Sequence, residues 1–155
     1  MMKLQINERV MKASLARLRN SGTKGHEGVV LWLGKRAFPS ARVTHVYEPL
    51  HRASSDFFHI PPDGMRQLMA YLEQHDVALL AQVHTHPGEA FHSGADDKWA
   101  MVRHLNALSL VLPDFAVNVT SHNFFAMAAT FRLDEYNRWV QVRNSELAQY
   151  LEVTA

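Results

Sequence analysis

The chain has 155 residues, 47% of them hydrophobic and 20% charged, the balance of a folded globular protein with enough material for one core. Its 16 basic and 15 acidic residues leave a formal net charge of +1, which excludes the strong field of a nucleic-acid or anionic-membrane binder. The absence of cysteine excludes disulfides, a thiol nucleophile and the cysteine-containing zinc sites.

The stretch from Met1 to Glu8 lacks the apolar core of a signal peptide, and no apolar run is long enough to span a bilayer. A single domain over residues 1–155, located in the cytoplasm, is therefore expected. Asn7 can cap a helix running to about Arg19, with Val10, Met11, Leu15 and Leu18 on one face. A turn-rich loop over residues 20–25 delivers Glu27 to the head of an apolar strand, residues 28–33. A second strand covers about 42–48, and His45 and His51 in and beyond it read as structural or solvent-facing. A short strand is expected around Phe57 to Ile60, with Phe57 and Phe58 in the core by default. Pro61-Pro62-Asp63 opens a helix whose Met65, Leu68, Met69 and Leu72 follow the i, i+3, i+4, i+7 pattern of a core face.

The run Val77 to Ala81 has no strict alternation, as expected of a strand buried on both faces. A helix from about Gly94 to Asn106, burying Trp99, Val102 and Leu105, is followed by strands at 109–112, 123–133 and 138–142. The tail, 145–152, reads as a short helix. Interleaved helices and strands with antiparallel-looking neighbours late in the chain predict an α/β (α+β) fold, a mixed central sheet flanked by helices.

The chemistry lies in Val83-His84-Thr85-His86-Pro87 and Ser93-Gly94-Ala95-Asp96-Asp97. On a strand, residues i and i+2 share a face, so His84 and His86 project together. Pro87 has no N–H for the ladder and ends the strand. Ser93 reads as a helix N-cap with Asp96 at the third helical position. Two imidazoles at a strand end and a carboxylate on the next helical turn make three ligands with a fourth position open, the pattern of a catalytic zinc. The bland alternative is that a lone His-x-His pair is incidental. Glu27 shifts the balance, because a carboxylate opening a buried strand bears a desolvation cost of a few kcal/mol without a partner. A metal-activated water would be such a partner.

Glu-x(6)-Gly, His-Thr-His-Pro and Ser-x-x-Asp, in this order, resemble the JAMM signature of the JAB/MPN metalloproteases, zinc-dependent isopeptidases that remove ubiquitin-like modifiers. The motifs fall between roughly residues 25 and 100. The resemblance implies an MPN/JAB-like fold and one zinc ion per chain, with His84, His86 and Asp96 as metal ligands. It implies Glu27 as general base and Ser93 as donor to the oxyanion. The segment from His86 to Ser93 is one residue shorter than the family usually shows, so Asp97 competes with Asp96; keeping Ser-x-x-Asp intact favours Asp96.

By the same resemblance the substrate would be a ubiquitin-like protein or its conjugate, its tail held extended beside an exposed strand. Bacterial stand-alone JAB proteins accompany ubiquitin-like conjugation enzymes, some in antiphage defence. Processing of a ubiquitin-like or sulfur-carrier precursor at a linear peptide bond is the alternative, and a non-catalytic MPN scaffold a third. Neither nucleic acid nor membrane is an expected partner. Glu89 and His92, in the loop between the ligands, are either partners of a metal ligand or solvated, and the second reading is favoured. Without His-Glu-x-x-His a thermolysin-like protease is excluded, and the helical segments argue against a cupin-like barrel.

Overall fold

The computed structural model describes residues 2–55, 58–94, 96 and 100–155. Strand β1 (Lys3–Asn7) leads directly into helix α1 (Glu8–Gly22), because Asn7 Oδ1 accepts the Val10 N–H at 2.9 Å and satisfies a donor at the helix start. Val10, Met11, Leu15 and Leu18 form the buried stripe. The helix continues three residues past Arg19, through part of the expected loop, because Arg19 and Gly22 pack against a later turn.

Strand β2 (Val29–Gly34) is buried at every position. Its residues alternate between two cores: Val30 and Trp32 pack on the side of α1, whereas Val29, Leu31 and Leu33 join Phe58 and Leu68 on the other. Trp32 reaches a partner there, its Nε1–H donating to Ser14 Oγ at 2.9 Å, while Ser14 donates to the Val10 carbonyl at 2.8 Å. The single strand expected at 42–48 is two, β3 (Ser40–Arg42) and β4 (His45–Tyr47). Between them the chain changes sheets: the Val43 N–H bonds Gln5 of β1 and the Thr44 N–H bonds Leu33 of β2.

Strands β5 (Arg52–Ala53) and β6 (Phe58–His59) form a small ladder before helix α2 (Pro62–His75). Phe58 is buried; Phe57 lies outside the described residues. The expected methionine face of α2 is corrected. Leu68 is buried, but Met69 is 60% exposed, and the buried position at Gly64 admits no side chain, because a Cβ there would lie 2.3 Å from the Leu50 carbonyl oxygen.

Strand β7 (Ala78–Thr85) carries His84 near its end. Beyond the site, the expected helix does not reach Asn106: Gly94 and Asp96 are helical, but residues 100–106 are irregular and Leu105 is exposed, while Trp99 is outside the described residues. Strand β8 (Leu108–Leu112) follows. The expected strand 123–133 begins instead as a short helix, α3 (Phe124–Met127), before β9 (Ala129–Leu133) and β10 (Trp139–Val142). A short apolar run has no periodicity that separates strand from buried helix, and here Phe124 packs on Trp32. The tail, expected as helix, makes a 3-10 turn at Asn144–Gln149 and then strand β11 (Leu151–Thr154).

The main sheet has the order β10-β9-β8-β7-β2-β4, with only β7 and β8 parallel; a second sheet, β11-β1-β3, is parallel throughout. The fold is mixed α/β with helices flanking a mixed central sheet. No helix among the described residues is long and apolar enough to cross a membrane.

Candidate metal centre

The antiparallel register of β2 and β7 sets Val29 opposite His84, so Glu27, two residues upstream, is brought to the strand end that carries the histidines. Two bonds close this corner: Gly28 N–H donates to Thr85 Oγ1 at 2.8 Å, and Thr85 N–H donates to the Gly28 carbonyl at 3.0 Å. The Glu27 N–H donates to the Ser54 carbonyl at 2.7 Å, tying its backbone to the segment between β5 and β6. His86 is held by its own backbone, its N–H bonded to Leu112 of β8 and its carbonyl accepting from Phe115 at 2.8 Å.

Phe115 belongs to an unusual turn. Asp114, Phe115 and Ala116 all have φ between 52° and 62°, a left-handed stretch without glycine that costs roughly 1–2 kcal/mol per residue. The surroundings hold it there: Arg19 donates to the carbonyls of Ala116 and Val119, and Asp114 N–H bonds the Gly88 carbonyl.

The carboxylate arrives from the other direction. Ser93 N–H donates to Asp96 Oδ2 at 2.8 Å, and Asp96 N–H donates to Ser93 Oγ at 3.0 Å, a reciprocal pairing that fixes both side chains at the start of the helical turn. Asp96 Oδ2 then lies 3.1 Å from Nε2 of His84 and 3.1 Å from Nε2 of His86, and Glu27 Oε1 is 3.8 Å from the latter. Possible ligand atoms of Glu27, His84, His86 and Asp96 all fall within 4.8 Å of one another, and all four residues are buried. Among the described residues this is the group that could hold a metal ion; His45 and His51 are outside it. Asp97 lies outside the described residues, and the structure brings Asp96 to the histidines.

Burial alone would raise the Asp96 pKa, but its contacts with His84 and His86 and the Ser93 N–H prevail and hold it far below the carboxylate range. For His86, burial opposes the charged form, yet Asp96, Glu27 and the Glu89 carbonyl, which accepts from the ring, raise the pKa. The second reading of Glu89 is thus split: its side chain is exposed, while its backbone orients a candidate ligand. His92, favoured as solvated, is instead half-buried, with Nε2 3.2 Å from Ser109 Oγ.

Whether the cluster suits a metal is tested by His84. It is fully buried, and neither ring nitrogen has a partner in hydrogen-bond geometry, the close approach to Asp96 included. A buried imidazole nitrogen without a hydrogen-bond partner calls for another kind of partner, and a metal ion is one that its lone pair suits. Two neutral imidazoles and a carboxylate are a donor set that suits zinc among the common divalent cations. The four residues fit a metal ion.

Fold and site together define a candidate metallohydrolase: a mixed sheet presenting two histidines, an aspartate on the next helical turn, and a glutamate from the antiparallel neighbour. The family model describing prokaryotic homologs of the JAB domain matches residues 8–130, and the chain belongs to that family. The chain is 34% identical over 144 residues to "Probable metalloprotease y4jG" of Sinorhizobium fredii, covering 90% of this chain and 87% of that protein. It is also similar in fold to the solution structure of protein DSY2949 from Desulfitobacterium hafniense, with a TM-score of 0.69 at 16% identity, over 97% of this chain and 92% of the other. Family, relative and buried cluster support a hydrolase of metalloprotease type.

Proposed function

We propose that the protein is a zinc-dependent isopeptidase that cuts the bond after a ubiquitin-like modifier. His84, His86 and Asp96 would hold one zinc ion, Glu27 would carry the proton, and Ser93 would stabilise the oxyanion. The observation that supports this reading is the convergence of four buried polar groups from three separate chain segments within 4.8 Å, one of them an imidazole without a hydrogen-bond partner.

Bound there, zinc supplies Lewis acidity and lowers the pKa of water to about 7. The protein's own groups do the rest. Glu27 accepts a proton at its carboxylate and later delivers it to the departing lysine amine, which cannot leave unprotonated. Its tether to Ser54 and the Gly28–Thr85 corner hold it for that task. Ser93 Oγ accepts the Asp96 N–H, a bond that does not use the hydroxyl's own proton, which is left to be donated to the oxyanion. Burial of the cluster keeps competing water from the charged groups.

The test is cleavage of isopeptide-linked conjugates of ubiquitin-like proteins, beside linear fusions of the same modifiers. Zinc-loaded protein should release the modifier from the isopeptide conjugate, chelator should stop it, and added zinc should restore it. Cleavage of linear fusions alone would favour the processing-peptidase alternative. Chelator-insensitive cleavage, or none with zinc-loaded protein, would overturn both.

A further inference from the structure

Below the metal cluster lies a second polar group that the proposed chemistry does not use. Gln82 and Ser109 face each other in the parallel register of β7 and β8, and both are fully buried. Gln82 Nε2 donates to Ser109 Oγ at 3.1 Å, and the same oxygen lies 3.2 Å from His92 Nε2. The other end of the Gln82 amide accepts the Met101 N–H at 2.9 Å. Buried polar groups in the middle of a sheet are retained only when satisfied, and here their partners are the two flanks of a single segment. That segment, residues 92–101, carries Ser93 and Asp96. The His92 ring is also packed between Phe131 and Trp139, with centroids 5.0 and 5.1 Å away, and stands 6.1 Å from the ring of His84.

We propose that His92, Ser109 and Gln82 form a positioning clamp that pins both ends of the 92–101 segment to the sheet and thereby sets where the Asp96 carboxylate stands against His84 and His86. The inference rests on the metal-site reading above. In it, His92 is a positioning residue: it acts on the metal through the adjacent Ser93–Asp96 pairing. A shared hydroxyl is suited to the task, because serine accepts from Gln82 while its own proton is directed to the imidazole. Gln82 then couples the beginning of the segment to its end, so loss of either contact loosens both.

The experiment measures zinc affinity by competition with a chromophoric chelator, and amide hydrogen exchange of the zinc-free protein, for wild type, His92→Ala, His92→Gln, Gln82→Met and Ser109→Ala. A partner that orients a metal ligand is worth on the order of 10- to 100-fold in metal affinity. His92→Ala and Gln82→Met should lose that much, with faster exchange confined to His92, Ser93, Asp96, Met101 and their bonded neighbours. Glutamine can place an amide near the former Nε2, so His92→Gln should recover most of the loss; a merely space-filling role would not be rescued by that polar group. Zinc affinity within twofold of wild type in both His92→Ala and Ser109→Ala, with unchanged exchange, would overturn the clamp. Exchange that rises uniformly across the chain would overturn it too. Should His92→Ala fail to fold, Ser109→Ala removes the shared oxygen without adding bulk and carries the same test. If wild type binds no zinc, the metal reading fails, and the exchange pattern still decides for or against the clamp.

Discussion

The most informative single perturbation is Asp96→Asn, which keeps the shape of the side chain and removes its charge. Asp96 is 2% exposed, and its Oδ2 faces three nitrogens, His84 Nε2 and His86 Nε2 at 3.1 Å and Ser93 N at 2.8 Å. An asparagine oxygen can still accept from Ser93 but is a poor zinc ligand. If loss of an orienting partner already costs 10- to 100-fold in metal affinity, loss of a ligand should cost about 100-fold or more. Zinc at 100 times the wild-type dissociation constant stabilises the folded state by about 2.7 kcal/mol through mass action. For a chain of 155 residues that raises the melting midpoint by roughly 5–11 °C. At the same zinc concentration a variant bound 100-fold more weakly is only half saturated, gains about 0.4 kcal/mol, and shifts by roughly 1–2 °C. Thermal melts of both proteins with and without zinc, read against a chelator titration, make the comparison. An Asp96→Asn protein with a zinc-induced shift equal to wild type would refute the ligand assignment; loss of the shift in Asp97→Asn instead would move the role to the neighbour.

Glu27→Gln should keep zinc and fold while removing nearly all cleavage, whereas Ser93→Ala should lose on the order of 10²–10³ in turnover; near wild-type cleavage by Glu27→Gln would end its proton-carrying role. In the metal-free protein the lowered Asp96 pKa contributes stability that is present above about pH 4 and lost as pH falls through its folded value, while the raised His86 pKa contributes stability that is complete below about pH 6.5 and lost as pH rises through its folded value. Denaturant midpoints should therefore peak between those limits without zinc, and zinc affinity should weaken as pH falls and His86 takes its proton. Gly22→Ala places a methyl 2.7 Å from Phe115 Cβ and should cost about 1–3 kcal/mol; because Phe115 N–H bonds the His86 carbonyl, zinc affinity should fall with it, and unchanged denaturation and zinc titrations would show that the turn yields freely.

What the sequence disclosed about the site follows from how local each relation is. His84 and His86 follow i, i+2 spacing, the first on β7 and the second one residue past its end, and Ser93 and Asp96 share a helical turn by i, i+3 spacing, so both halves could be read from local sequence alone. Glu27 is 57 residues before His84; desolvation marked it as a carboxylate in need of a partner such as a metal-activated water, and the family pattern gave it a place beside the histidines. The structure supplies the missing link as strand register, Val29 opposite His84, which no local signal encodes. The same limit explains the fold errors. Strand β1 does alternate, with Leu4 and Ile6 buried between three polar residues, but five residues running straight into a helix are too few to announce a sheet; its partner β11 lies at the other end of the chain, Leu4 against Leu151, so the tail's strand is specified by a contact across the whole sequence. His92 shows the limit most sharply. A histidine in a loop between two ligands carries no sign of burial in its neighbours, and its partner Ser109 lies in an unremarkable apolar strand. The candidate ligands were legible because chemistry confines such residues to a few types at fixed spacings. The residues proposed to aim them are ordinary side chains defined only by where the sheet puts them, and mutation at His92 rather than at His84 is where that distinction becomes measurable.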